Sequence, residues 1–455
     1  MRTPRSALAA ALTAVALLGA ACSSGGGSGT TPAAAAVAGI TAGAGNVALY
    51  DNSVVHDIAV SFDQAAYDAM VVAYVSSQDK EWIEATITID GVTLQKVGMR
   101  LKGNSSLRGL ARAGGGGGGA QQPNGVTRGE PESLPWLVRF DKYVAGQTYQ
   151  GRTEVVIRGN NTETSLNEAV ALEVIGLSGA ATQKAFSTRF TVNGGTEVLR
   201  LAIESPNDDW EQSTFDSEGI LYKAESTGDY SYRGTDPEAY DEIFDQESDP
   251  ENENLAPLIS FLEFINNSND ATFASDLGKH LDVAAFARYL ALQELVGNFD
   301  DIDGPGNNSY LRYDEATKQF TVLSWDLNLA FNAMGGPGGP GGAGGAQLPG
   351  GGAQPPAGGI RQMPPGGQLP AGGQQARPGG PGGRTNILVQ RFQANAGFAA
   401  MYNQAKTELK AQLFTSGKAG EVLARWSGVL TAHAGDLVDA ATVEREAANI
   451  SRLFT

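Results

Sequence analysis

Oxygen-bearing side chains are concentrated between residues 294 and 331, and their order is suited to phosphoryl transfer. The polar loop carries Asp300, Asp301, Asp303, Asn307 and Asn308, and Asp326 follows a predicted hairpin. Protein kinases use the same order: a loop carboxylate faces the attacking hydroxyl, and an Asn and a later Asp hold metal against a triphosphate. Hard divalent cations prefer such oxygen ligands. Spacing alone leaves two alternatives open, an ordinary turn or a structural Ca²⁺ site.

The elements around this loop would bring its two ends together. A helix is predicted to end at Val296, and strands are predicted over 309–313 and 320–325, joined by a turn at 314–318. The second strand then delivers Asp326 next to the loop. No Glu closes a twelve-residue loop begun at Asp301, so the segment is not an EF-hand.

Composition excludes several other classes of protein. The formal net charge of −18 argues against a non-specific nucleic-acid binder, which needs a basic face. One Cys and three His residues are too few for a zinc site of four cysteines, or of two cysteines and two histidines, or for a disulfide framework. Neither a Walker-A pattern nor a G-x-S-x-G motif occurs, so a P-loop enzyme and a serine hydrolase are not supported.

The remaining pattern predicts an α+β fold with a mainly β N-terminal part and a mainly helical C-terminal part. Strands are predicted over 56–61, 82–89, 91–101, 136–140, 154–158, 186–192 and 197–204, with turns at Asp90-Gly91 and Asn193-Gly194-Gly195. Ser165 and Glu168 predict a capping box that starts a helix over 165–177. Helices are also predicted over 62–75, 255–265 and 283–296 and throughout 385–455.

Three segments differ in composition from the rest. Between Asp236 and Glu253 there are nine acidic residues and no basic one, which favours a solvated acidic loop with short helices within 207–256. A Gly-rich loop spans 113–133, and a Gly/Pro-rich insert spans 335–384, for which we expect a disordered linker. The insert lacks a strict triplet period and is therefore not collagen.

The N-terminus predicts export and lipid anchoring. Arg2 and Arg5 precede a short apolar stretch, and small residues lead to Cys22, the only cysteine. Residues 1–22 therefore form a predicted lipoprotein signal with Cys22 as the lipidated residue, and 23–45 form a flexible tether. We expect a bacterial envelope protein held on the outer face of the membrane by its lipid. The alternative is a plain secretory signal with an incidental cysteine.

Five separated blocks of sequence resemble the CotH (spore coat protein H) kinase family, in the family's order and over roughly 45–455. The blocks are Val97–Ser106 (VGMRLKGNSS), Arg139–Tyr143 (RFDKY), Gly219–Glu225 (GILYKAE), Gly297–Asp300 (GNFD) and Trp325–Phe331 (WDLNLAF). The resemblance implies an atypical protein-kinase-like fold over 46–455. It also implies ATP with Mg²⁺ or Mn²⁺ as cofactors and a protein partner with a Ser or Thr acceptor.

The resemblance also implies roles for residues of the loop and hairpin. Asp300 is the expected catalytic residue, which positions the acceptor hydroxyl and takes its proton. Asp326 is the expected metal ligand, and Asn308 is the second contact to metal or phosphate, with Asn307 a near-equal candidate.

Three further residues are expected to bind the cofactor. Arg100 and Lys223 are expected at the phosphates, because cations must offset the triphosphate. Glu204 is expected to orient a lysine or ligate metal. The alternatives are a solvent-facing strand position for Arg100, an ion pair with the acidic segment for Lys223, and an ordinary strand-end charge for Glu204.

The sequence departs from the family pattern at three places. Asn328 stands where the Trp-Asp-x-Asp motif has its second Asp, and Asn332 stands where a Gly commonly follows Phe331. A basic residue common before the Arg139 strand is replaced near Leu134-Pro135. The main hypothesis is therefore a surface kinase, and the alternatives are a pseudokinase that serves as an interaction scaffold and a Ca²⁺-stabilised wall-binding protein without nucleotide.

Overall fold

The computed structural model describes residues 47–103, 105–107, 110, 128–226, 228–332 and 386–454. Cys22, the predicted signal and tether, the insert 335–384 and most of the Gly-rich loop lie outside the described residues. The predictions made for them stay predictions.

The N-terminal part is a sheet of seven strands that closes into a barrel. Neighbours in the order β1-β2-β3-β4-β5-β7-β6 pair antiparallel, and β6 closes the barrel by pairing parallel with β1. The strands are β1 (Val55–Phe62), β2 (Ile83–Ile89), β3 (Val92–Leu101), β4 (Trp136–Arg139), β5 (Glu154–Ile157), β6 (Ala185–Val192) and β7 (Val198–Ile203).

Alternation and turn chemistry explain why these residues form strands. Along β1 and β2, every second side chain is buried, as expected where one face of a sheet covers a core. Asp90 (φ 48°) and Gly91 (φ 81°) both take the left-handed conformation that a tight hairpin turn requires. The predicted hairpin at this dipeptide is confirmed.

The second part of the chain combines a four-stranded antiparallel sheet with most of the helices. The sheet has the order β11-β10-β8-β9, from β8 (Gly219–Ala224), β9 (Phe244–Gln246), β10 (Ser309–Asp314) and β11 (Phe320–Ser324). The α-helices among the described residues are α1 (Gln64–Ser77), α2 (Leu166–Leu177), α3 (Asp208–Thr214), α4 (Ala256–Asn267), α5 (Asp270–Asp276), α6 (Val283–Leu295), α7 (Ile387–Ala394), α8 (Ala396–Leu409), α9 (Lys418–His433) and α10 (Ala440–Ser451).

The prediction of a solvated acidic loop with short helices within 207–256 is correct in part: none of the nine acidic side chains between Asp236 and Glu253 is buried, and α3 is a short helix. The segment also supplies β8 and β9, and Tyr240 and Phe244 are buried. Its acidic residues lie between buried apolar residues such as Ile243, so the net charge of the segment hid these two strands. This sheet matters for the site, because β8 carries Lys223 and pairs with β10.

Helix α2 forms as predicted, but the capping box does not. Ser165 takes a left-handed conformation (φ 53°), and its side chain makes no capping bond. The helix is held by its neighbours instead: Glu173 accepts a hydrogen bond from the Trp426 indole of α9 (2.8 Å), and Glu446 of α10 accepts one from the Thr164 N–H (3.1 Å). Because the cap is not used, Glu168 is free for another contact.

The structure confirms a mixed α+β fold whose N-terminal part is rich in strands. In the part of the chain that the structure describes, no helix combines the length and the apolar character needed to cross a membrane.

Candidate active site

Asp300 lies in the loop between α6 and β10, and its carboxylate is fixed from two sides. The Gly306 N–H donates to Oδ1, and the Asn308 amide Nδ2 donates to Oδ2 at 3.0 Å. A Cβ at position 306 would lie 2.5 Å from Oδ2, so only glycine allows the loop to approach this closely. Burial raises the pKa of Asp300, and repulsion from Asp326 adds to the effect, while the Gly306 bond offsets part of it. The carboxylate is therefore held in place and made more basic.

A chain of buried amides links this loop to the strand that carries Asp326. The Ser324 Oγ accepts from Gln293 Nε2 (2.7 Å), and Gln293 Oε1 accepts from Asn298 Nδ2 (2.9 Å). The Asn298 Oδ1 faces the Asp300 N–H at 3.4 Å. Ser324 and Asn298 each lie two residues before one of the two aspartates, so the network fixes both loops relative to α6.

The structure separates the two asparagine candidates. The Asn307 side chain is buried and donates to the Glu225 carbonyl oxygen at 3.1 Å. The Asn308 side chain faces Asp300, and the bond between them uses its Nδ2 and not its amide oxygen. Because an amide oxygen is the atom that binds a metal, Asn308 is better placed than Asn307 to contact one.

Asp326 follows β11 in a left-handed conformation (φ 54°), and its carboxylate meets a cation from the barrel. Arg158, directly after β5, donates through Nη2 to Asp326 Oδ1 and through Nε to Glu168 Oε2 of α2 at 3.0 Å. The other Glu168 oxygen is buried and has no hydrogen-bond partner among the described residues. Burial raises the pKa of Glu168, and Arg158 offsets only part of that increase. The barrel strand, helix α2 and the Asp326 turn thus meet at one guanidinium.

Basic side chains surround Trp325, the neighbour of Asp326. Lys102 Nζ lies 5.5 Å from the centre of the Trp325 ring, and the Arg158 guanidinium carbon lies 5.9 Å from it. Burial lowers the pKa of Lys102, and nearby Lys223 and Arg100 lower it further, while Glu247 opposes this. A pKa shifted by burial and by neighbouring charges is one feature of functional sites, which makes this cluster a candidate.

Arg100 and Lys223, the two predicted phosphate contacts, both adjoin this cluster. Arg100 stacks on Trp82 at 4.8 Å, and its Nε is buried without a hydrogen-bond partner among the described residues. Lys223 Nζ pairs with Glu225 and lies 4.0 Å from Glu247. Lys223 therefore contacts the acidic segment, which was the alternative interpretation, and it also influences Lys102.

Glu204 lies at the end of β7, and its contacts differ from those of the other predicted site residues. Its Oε1 pairs with Arg152 (3.1 Å), and its Oε2 accepts from the Lys184 N–H (2.8 Å). It lines a small polar cavity together with Tyr50, Arg152 and Trp210. The structure thus brings Asp300, Asn308, Asp326, Lys223 and Arg100 to one region and gives Glu204 other partners.

Sequence reasoning missed Arg158, Glu168 and Lys102. The sequence pattern could have identified Lys102 as a site residue, because it follows Arg100 by two residues and alternation puts both on one face of the strand. Glu168 is a charged residue in a helix whose neighbours are nearly all buried, and that signal was assigned to capping. No sequence pattern identifies Arg158 as a site residue, because a basic residue at a strand end is common.

Within the described ranges, no group of three or more His, Cys, Asp or Glu side chains is arranged to hold a metal ion. The oxygen donors in this region are the Asp326 carboxylate, whose Oδ1 already accepts from Arg158, and the Asn308 amide oxygen, with Asp300 next to them. Carboxylate and amide oxygens are donors of the kind that Mg²⁺ and Mn²⁺ prefer, so these residues would fit such an ion.

Comparison with known proteins agrees with the sequence blocks. No curated protein matches the chain significantly. The family model described as CotH kinase protein matches residues 101–436, which contain Asp300, Asp326, Arg158, Glu168, Lys102 and Lys223 but not Arg100. That match covers well over half of the sequence, and the chain therefore belongs to the CotH kinase protein family.

Proposed function

We propose that the protein is an atypical kinase that transfers the γ-phosphoryl group of ATP to Ser or Thr hydroxyls of surface or spore-coat-like proteins. The observation that carries the proposal is the convergence at Trp325-Asp326. Lys102, the Arg158–Glu168 pair and two aspartates linked by an amide network meet there.

The Arg158–Glu168 pair supports a kinase-like fold. Protein kinases hold a strand lysine against a helix glutamate, next to the metal-binding Asp. Here Arg158 follows a barrel strand, Glu168 lies on α2, and Asp326 is the third member. An arginine keeps its charge when buried and donates in two directions at once, so it can serve both carboxylates.

The chemical step assigned to this chain is positioning and proton transfer. Asp300 accepts a hydrogen bond from the acceptor hydroxyl and takes its proton as the new O–P bond forms and the bond from Pγ to the ADP oxygen breaks. Arg100, Lys102 and Lys223 offset the charge of the phosphates. Asp326 and Asn308 would hold Mg²⁺ or Mn²⁺, which neutralises negative charge on the phosphate oxygens when bound.

The predicted signal and Cys22 support a location on the outer face of a bacterial membrane, anchored by lipid. The partners would then be ATP and an acceptor protein of the envelope, with the lipid anchor as the contact to the membrane and no nucleic acid involved. The acidic net charge agrees with the last point.

One observation favours the alternative, a pseudokinase scaffold. Arg158 occupies the Asp326 carboxylate that a metal would use, and Asn328 supplies no second carboxylate there. A metal must therefore compete with a guanidinium for Asp326.

The test is incubation of the full-length protein with radiolabelled ATP and Mg²⁺ or Mn²⁺, alone and with a Ser-rich acceptor. We expect label on protein in the parent and none in Asp300→Asn, which keeps the shape of the side chain. Absence of label together with an ATP- and metal-dependent rise in Tm would establish the pseudokinase. Absence of both would overturn nucleotide binding itself.

A further inference from the structure

An aromatic side chain is exposed directly beside the proposed catalytic residue. Phe299 precedes Asp300 and is 51 % exposed, among the most exposed large apolar side chains in the described ranges. Single exposed apolar residues are common on protein surfaces, so exposure alone means little. Its position next to Asp300 is what calls for an explanation.

The loop around Phe299 is fixed, so its exposure does not come from a loose backbone. The preceding Asn298 is buried and bonded to Gln293. The following Asp300 is held by Gly306 and Asn308, and the Ile302 N–H donates to the Tyr289 hydroxyl at 3.2 Å. Because these hydrogen bonds fix the loop, the exposed ring of Phe299 is held in a defined position.

A second exposed apolar residue, Leu453, lies next to the start of the same loop. Gly297 has φ 62°, and the Cδ1 atom of Leu453 lies 3.6 Å from where a Cβ of residue 297 would project. Leu453 is 36 % exposed, and its neighbour Phe454 packs on Phe331 with ring centres 5.7 Å apart. The end of the described chain thus adds apolar surface within two residues of Phe299.

We propose that Phe299, supported by Leu453, is a specificity-determining contact for the acceptor. It selects Ser or Thr acceptors that have a bulky apolar residue one or two positions away. The proposal rests on the proposed kinase function, because the acceptor must reach Asp300.

Chain geometry sets the position of the selected residue. Consecutive Cα atoms lie 3.8 Å apart, so the Phe299 and Asp300 side chains leave the backbone at neighbouring points of the loop. An extended acceptor advances about 3.3 Å per residue, so residues one or two positions from its hydroxyl cover a distance of the same order. Covering the ring removes apolar surface from water on both partners.

The experiment is a positional peptide library with a central Ser, in which each position from two before to two after carries Leu or Ala in turn. Full-length parent, Phe299→Ser, Phe299→Leu and Leu177→Ser are assayed with radiolabelled ATP and Mg²⁺. Leu177 is a matched control: it is 41 % exposed and lies nine residues along α2 from Glu168, about 14 Å away.

In the parent we expect Leu to raise kcat/KM about 10-fold over Ala at one or two positions. Phe299→Ser should remove this preference, Phe299→Leu should keep most of it, and Leu177→Ser should leave it intact, with the KM for ATP unchanged throughout. A parent that labels peptides or itself without preferring Leu, or a Phe299→Ser variant that keeps the preference, overturns the inference alone. A parent that labels nothing overturns the proposed function, and this inference with it.

Discussion

Arg312 and Arg158 are both buried, and each lies between a glutamate and an aspartate. The two clusters differ in how completely their polar atoms are hydrogen-bonded. Arg312 of β10 donates to Glu211 Oε1 through Nε (2.9 Å) and Nη2 (2.7 Å) and to Asp314 through Nη1 (3.0 Å). Arg158 donates to Glu168 and to Asp326. The two clusters have the same side-chain types and similar burial.

The difference lies in the remaining hydrogen bonds. Asp314 also accepts from the Ala316 and Thr317 N–H groups (2.9 and 2.8 Å) and from Ser217, and the Arg312 guanidinium lies 4.0 Å from the Phe215 ring centre. At Arg158, one Glu168 oxygen has no hydrogen-bond partner among the described residues, and Asp326 is a quarter exposed. A saturated cluster stabilises the fold, whereas an unsaturated one retains capacity for a ligand.

The largest effect is expected at the saturated cluster. Arg312→Met leaves Glu211 and Asp314 without their cation, and breaking such a buried pair costs about 3–5 kcal/mol of the free energy of unfolding. Urea denaturation of the variant and the parent measures this loss. A loss below about 1 kcal/mol would show that the cluster is not structural.

Arg158→Met should lower stability less than Arg312→Met does, and it should strongly lower activity. Burial raises the pKa of Glu168 to about 7, so without Arg158 this carboxyl can take up a proton instead of staying charged. Asp326 is partly solvated, and we therefore expect a loss of only about 1–2 kcal/mol of stability. The rate of phosphoryl transfer should fall about 100-fold, since the residue positions both Asp326 and α2. The pair of measurements is urea denaturation and kcat; an unchanged kcat would contradict the assignment of Arg158.

Gln293→Met should lower both stability and kcat, with a smaller effect on kcat than Arg158→Met. The variant keeps the volume but leaves Asn298 and Ser324 without their shared partner, which costs about 1–2 kcal/mol. The aspartates should then lose their mutual alignment, with kcat lower by about 10-fold and the KM for ATP little changed. If kcat stays at the parent level, the amide network has no positioning role.

Activity and stability should depend differently on pH, because the pKa values of Asp300 and Asp314 are shifted in opposite directions. Burial raises the pKa of Asp300, so its charged form and the kcat that needs it are lost on acidification at a higher pH than for a free aspartate. The hydrogen bonds from Ser217 and Thr317 and the contact with Arg312 outweigh burial and lower the pKa of Asp314. The stability that Asp314 contributes is therefore present above about pH 3.9 and is lost only as pH falls below it. Activity should disappear before the fold does, which kcat and circular dichroism over pH 3–7 can check.

Much of the fold was predictable, because strands and helices left clear periodicity. The strands of 56–61 and 82–101 and the helix of 165–177 were read from alternation, turn residues and apolar stripes. The sheet within 207–256 was not, since its acidic residues masked the buried positions between them. Local pattern does not show which charged residues will be covered by another element.

The site was predictable where one short segment carries it. Asp300, Asn308 and Asp326 belong to a single loop and hairpin, so their order in the sequence already indicates that they lie close together. Arg158 and Glu168 come from a different part of the chain, and only the folded structure brings Arg158 against both Glu168 and Asp326. That contact spans 168 residues and has no local signal.

The most direct test of the central claim is a calorimetric titration of ATP with Mg²⁺ into the parent, Asp326→Asn and Asp314→Asn. Both variants make the same chemical change in an aspartate that pairs with a buried arginine. The account predicts that Asp326→Asn abolishes metal-dependent binding, while Asp314→Asn binds as the parent does and loses only stability. Equal binding by both variants, or loss of binding in Asp314→Asn alone, would contradict it.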